Sequence, residues 1–275
     1  MQQLLVALDW PAVDFGAVAV VLAPLLNDHP TDIAARVRRS RGFVEVPLDA
    51  AAAEVAATAL RAANHRFCAV AADWMPRLPK PRTTRCLDTS QATALTAQIA
   101  LTGPPESLPW ARVLAAVPTL WLSSVAGGPA GPAPKGRSLT SKAMSLATTG
   151  GIGMLLSKGT PKGSSQASSV SVARPMLVIV GHGGIDVGHV RYHLFADAAD
   201  YRVLPAPTQT VATNWAALLG TLVAQLRPDL AFAAELAAGA AGVDASGDLV
   251  IDDDNLLERT LRHRMMCAAL MRMGW

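Results

Sequence analysis

Residues 124–175, SVAGGPAGPAPKGRSLTSKAMSLATTGGIGMLLSKGTPKGSSQASSVSVARP, decide how this chain is divided. The segment is built from Gly, Ser, Ala, Pro and Thr and holds no Asp, Glu, His or aromatic residue. So few large apolar groups cannot offset the entropy of ordering a chain, so a long flexible insertion is expected over 124–175. It carries six of the 24 basic residues: Lys135, Arg137, Lys142, Lys158, Lys162 and Arg174. That leaves 18 basic residues against 21 acidic ones, so the rest of the chain is mildly acidic and the positive charge lies on the tether. Charges scattered along a Gly/Ser strap lack the dense basic face of a nucleic-acid binder, and no specific nucleic acid is expected. Contact of the insertion with an acidic surface or a membrane, aided by the apolar run 144–156, stays open.

On either side the patterning is that of folded protein. At 275 residues with 51% hydrophobic but only 5% aromatic side chains, the chain has material for two cores packed from Ala, Val and Leu. The fold class expected is α+β. A small two-helix α/β module spans residues 1–81. Residues 82–275 form an antiparallel sheet or open barrel with C-terminal helices, its sheet interrupted by the insertion.

Within the first module, the β-branched run 18–23 bounded by Pro24 reads as a buried strand. Thr31 reads as the cap of a short helix carrying Ile33 and Val37, which ends near Ser40 and Gly42. Residues 43–48 are extended. Asp49 caps a helix over 50–64 with a stripe of Val55, Ala56, Ala59 and Leu60, and 67–71 is a strand. The run 31–70, TDIAARVRRSRGFVEVPLDAAAAEVAATALRAANHRFCAV, resembles the C-terminal domain of the bacterial ribosomal stalk protein. Ala53, Glu54, Ala57, Leu60, Ala63 and Asn64 match that family's Ala-rich helix, and 67–70 match its last strand. The resemblance implies a small adaptor-type α/β fold. The lysines with which that family meets translation factors are absent, since the corresponding place reads Asn27, Asp28, His29, Pro30, Thr31, so no ribosomal role follows.

In the second part, 82–89, 94–102, 108–122, 176–180 and 189–196 read as strands, and 201–204 as a short extended piece. His189, Arg191 and His193 alternate with Val190, Tyr192 and Leu194, which predicts a strand with its polar side in solvent. Helices are expected over 214–226, 230–236 and 255–272. The phrase LPWARVLAA at 108–116 resembles the strand-to-turn phrase of bacterial pleckstrin-homology-like domains. On that resemblance the β domain is one antiparallel sheet into which 124–175 is inserted, an arrangement whose loop-closure cost grows only slowly with length.

The chemistry-bearing group is His182, Asp186, His189 and His193, in HGGIDVGHVRYH. Imidazole and carboxylate are proper zinc ligands. On a strand, however, His189 and His193 stand about 13 Å apart at about 3.3 Å per residue, so one ion reaches both only if the strand bends. The other reading is a polar strand face. Arg36, Arg38, Arg39 and Arg41 form a basic cluster that serves either the dipole at a helix C-terminus or an anionic partner. The glycines around 181–188 lack the Gly-Lys-Ser/Thr ending of a phosphate loop. In Asp244, Ser246 and Asp248 the start of a calcium loop is mimicked, but Leu249 stands where its glycine belongs, and Asp252, Asp253 and Asp254 suit a helix N-terminus better. No Gly-x-Ser-x-Gly occurs.

Cys68, Cys86 and Cys267 are too scattered for a disulfide framework and read as reduced thiols, Cys68 and Cys267 as buried ones. The first apolar run has no basic residue before it and is interrupted by Asp9 and Asp14, so no signal sequence is expected and the location expected is cytoplasmic. Together these readings describe a non-catalytic protein-interaction or adaptor protein, with a protein partner and no cofactor. A metal-dependent enzyme built on the four-residue group above and peripheral membrane binding through the insertion are the competing functions.

Overall fold

Leu5, Val6 and Ala7 have no exposed surface at all, as suits a strand paired on both sides. A computed structural model, which describes residues 2–9, 13–99, 103–125, 154–156, 170–182, 188–226, 250–251 and 253–275, places them in β1 (Gln3–Ala7). β1 is the middle strand of a three-stranded antiparallel sheet, flanked by β2 (Phe43–Leu48) and β3 (Phe67–Ala71). Alternation then sends Leu5 and Ala7 to one face and Val6 and Leu8 to the other, and both faces are covered.

Three helices cover the first face: α1 (Phe15–Leu26), α2 (Pro30–Arg39) and α3 (Ala50–Ala62). The expected strand at 18–23 is therefore a helix. Its β-branched residues favour a strand locally, but Asp14 caps the turn by accepting from the backbone N–H groups of Gly16 and Ala17. Val18, Ala19, Leu22 and Ala23 then form one buried stripe at helical spacing. Pro24 is tolerated because the carbonyl it leaves unpaired belongs to Val20, on the exposed side. In α2 the cap is His29, with Pro30 in the first turn, rather than Thr31. Asp49 caps α3 as expected, accepting from Ala52 N–H at 2.7 Å.

The second core lies between two sheets and two of the described helices. One sheet runs in the order β12-β8-β10-β11-β4, with β9 (Met154–Leu156) pairing β10 off this path. Its strands are β4 (Arg82–Thr83), β8 (Val113–Val125), β10 (Val170–His182), β11 (His189–Phe195) and β12 (Val250–Ile251). The other is β5 (Cys86–Asp88), β6 (Ala94–Gln98) and β7 (Glu106–Pro109). Two predicted single strands are thus split. Residues 82–89 divide between the sheets, and a 3-10 turn at Trp110–Arg112 breaks 108–122. Tyr201–Val203 is likewise a 3-10 turn rather than extended. Gly181 is required where the sheets meet, since a Cβ there would lie 2.6 Å from a Leu108 methyl. α4 (Val211–Gln225) and α5 (Asp254–Arg272) complete the mixed α+β fold.

β8 and β10 pair from Val125↔Val170 to Val113↔Gly181, so the outer parts of 124–175 are strand rather than insertion. Arg174, counted with the tether, sits over the Phe195 ring at 4.3 Å and forms a two-pronged ion pair with Asp197. Met154–Leu156, also counted with the insertion and with its apolar run, is strand β9, paired antiparallel with β10. The flexibility expected for the remainder of that segment, and the helix at 230–236, fall outside the described residues.

α5 serves both cores. Leu257, Leu261, Met265 and Ala268 enter the second, while Met266, Cys267 and Leu270 pack on Val6, Phe43, Cys68 and Val70 of the first sheet. At the end of the chain Trp275 lies under the Arg61 guanidinium of α3, 5.8 Å from ring centre to Cζ. Among the described residues, no helix is long and apolar enough to cross a membrane.

Candidate functional site

β11 was expected to show its polar side to water. Instead Arg191 is 2% exposed and His193 8%. The reason is non-local: Glu258 of α5 approaches Arg191, with Oε1 3.7 Å from Nη1, and also takes a hydrogen bond from Arg262 Nη2 at 3.2 Å. Arg191 Nε donates to His193 Nε2 at 2.7 Å, which requires a neutral imidazole with its proton on Nδ1. Burial, reinforced by the Arg191 charge, depresses the His193 pKa to about 4. Burial also pulls Arg191 below the ordinary guanidinium value, against the opposing pull of Glu258 and Asp254. Glu258 and Arg262 continue outward into an opening of about 490 Å³, lined also by Phe43, Met75, Asn255 and Arg259. The i,i+4 spacing of Glu258 and Arg262 was readable in the sequence; their meeting with Arg191 was not.

Among the described residues of the metal group, the fold brings together only His182 and His189. They face each other across the β10–β11 ladder, with ring centres 5.2 Å apart. His193 is occupied by Arg191, and Asp186 lies outside the described residues. Among the described residues, no three His, Cys, Asp or Glu side chains gather to hold a metal ion.

The arginine cluster disperses as well. Arg36 pairs with Asp28, Arg38 lies over the Phe15 ring at 5.5 Å, and Arg39 donates to the Ala35 carbonyl at 3.2 Å. Arg41 is buried in the left-handed turn between α2 and β2. Arg36, Arg38 and Arg39 remain exposed on the α2 surface.

A second opening, of about 560 Å³, is lined by Arg85, Cys86, Gln98, Ala198, Ala199, Asp200 and Arg202. Its thiol is not an activated nucleophile. Burial, then the carboxylates of Asp200 and Asp88, raise the Cys86 pKa. Burial pushes Cys68 to about 11 and Cys267 to about 12. Brief iodoacetamide treatment of the native protein at mildly alkaline pH should therefore modify Cys86 slowly and Cys68 and Cys267 not at all, as read by peptide mass spectrometry. Early labelling of either buried thiol would contradict the packing of α5 on the first sheet.

No protein-family model, curated protein or solved structure matches this chain.

Proposed function

We propose that the chain is a non-catalytic interaction protein whose α1–α3 layer receives a partner segment combining acidic and apolar side chains. One observation carries this reading. That layer exposes Val20 (67%), Leu25 (44%) and Val55 (57%) on α1 and α3 and three arginines on α2, while the opposite face of the same sheet is already occupied by α5. Apolar side chains supply the burial and the arginines select for negative charge. By contrast, His193, His263, Cys68 and Cys267 are buried within the fold, where they serve packing. A cytoplasmic location goes with this reading, supported by three cysteines that are all free.

The test uses the full chain, because a fragment ending at residue 81 would bare the sheet face that α5 covers. Proteins cross-linked to wild type in cell extract are compared with those cross-linked to a Val20→Asp, Val55→Asp double variant. Acidic partners enriched by wild type, reduced at least tenfold by the variant and by added salt, support the proposal. Equal recovery by both proteins overturns it.

A further inference from the structure

The antiparallel register of β10 and β11 sets His182 directly opposite His189, the last pair of the ladder. Directly opposed residues share a face of the sheet, with Cβ atoms roughly 5 Å apart. The two imidazoles are 5.2 Å apart between ring centres and inclined at 61°. A tetrahedral ion holding two imidazole nitrogens at about 2.0–2.1 Å likewise separates the ring centres by about 5 Å. The observed spacing matches that of a chelate with the strands as they stand. Both rings are exposed at the end of the ladder.

We infer that His182 and His189 form a two-imidazole site for a divalent transition-metal ion, independent of the partner surface on α1–α3. The sequence suggested a four-residue set spaced along one strand; the fold selects a different pair, across the ladder. His193, farther down the same face, is bonded to Arg191, and Arg191 is turned toward His193 and Glu258 rather than toward the pair. The other histidines are placed elsewhere: His29 caps α2, His65 follows α3, and His263 lies inside the fold. With nitrogen donors and no thiolate, affinity should follow the order copper(II) above nickel(II), with zinc(II) also below copper(II).

The experiment is calorimetric titration of the full chain, purified metal-free, with copper(II), nickel(II) and zinc(II) separately. One equivalent of copper(II) should bind with a dissociation constant on the order of micromolar. His182→Gln and His189→Gln should each weaken it at least tenfold, while His65→Gln leaves it unchanged. Pulsed electron paramagnetic resonance of the copper complex should show two coordinated imidazoles, reduced to one in either variant. Both substitutions lie on exposed positions, and circular dichroism checks that each variant is folded. Copper binding that is equal in wild type and both variants, or a spectrum without two imidazoles, overturns the proposal; so does adventitious surface coordination only, seen as several weak equivalents.

Discussion

Acidification from pH 7 to about 4 is expected to remove several kcal/mol of folding stability, beginning near pH 6.5. Two histidines are responsible. His263 of α5 is completely buried against the first sheet, where its Nε2–H donates to the Ala7 carbonyl at 2.7 Å. The Cys267 sulfur lies 3.5 Å from that nitrogen, and Phe43 meets the ring edge-on with centres 5.3 Å apart. Burial lowers the His263 pKa to about 4, only partly opposed by the hydrogen bond to Ala7. His193 stands at about 4 as well, facing Arg191 on its own strand and, through it, Glu258 of α5.

In the unfolded chain both rings return to about 6.5. Between pH 6.5 and 4 the unfolded state therefore binds more protons than the folded one, and stability rises with pH. The contribution is fully present above about 6.5 and is lost as pH falls toward 4. A shift of this size is worth about 3 kcal/mol for His263, and up to as much for the slightly exposed His193. Asp200, held at about 2 by hydrogen bonds from Arg202, adds a loss of its own only from about pH 5 downward, so the upper part of the window reports the histidines. Urea midpoints measured at intervals across the range test the expectation. His263→Gln, whose amide can still donate to Ala7 but does not titrate, should flatten the curve by roughly half. A midpoint that does not move between pH 7 and 4.5 would show that these rings are not enclosed.

How much of this was legible depended on distance along the chain. Where a feature is set within a few residues, the sequence was sufficient. Asp49, with Ala56 and Leu60 of the expected stripe, specifies α3, although its buried set is Ala53, Ala56, Ala57 and Leu60 and Val55 faces outward; the alternation at 189–195 specifies β11. The element at 18–23 misled because Val18, Val20 and Val21 favour a strand. What decides it is the cap at Asp14 together with a sheet that needs a helix above it, and β1, the centre of that sheet, went unrecognised. The face of β11 was misread for a stronger reason. A polar row on a strand implies water unless another element supplies a counter-charge, and Glu258 arrives from far along the chain. The histidine site shows the same limit. Spacing along β11 kept His189 from His193, whereas the close pair is made across the ladder, visible only once the hairpin register is known.

The dependence of both cores on α5 makes Gly42→Ala the most damaging small substitution expected in the first unit. Gly42 follows Arg41 in the turn into β2, and both are left-handed, at φ 91° and 53°. Any side chain at φ 91° is strained, at a cost of about 1–2 kcal/mol. A Cβ there would also run into the imidazole of His263, lying 2.7 Å from Cδ2 and 2.9 Å from Cε1. The ring has little room to yield, since Ala7 holds its Nε2, and Cys267 packs beside it. Ala7 is itself tied to the turn, its N–H donating to the Gly42 carbonyl at 2.8 Å. Strain and overpacking together should lower stability by about 3–5 kcal/mol, read as a shifted urea midpoint with little change in slope. The clash predicts a further result. His263→Ala, destabilising alone, should cost at least about 1 kcal/mol less in the Gly42→Ala background, because the atoms in collision are already gone. Strict additivity would mean that the backbone alone accounts for the loss. A loss under about 1 kcal/mol for Gly42→Ala would mean that α5 does not lie on the first sheet as described, and the covered face on which the choice of partner surface rests would then be open.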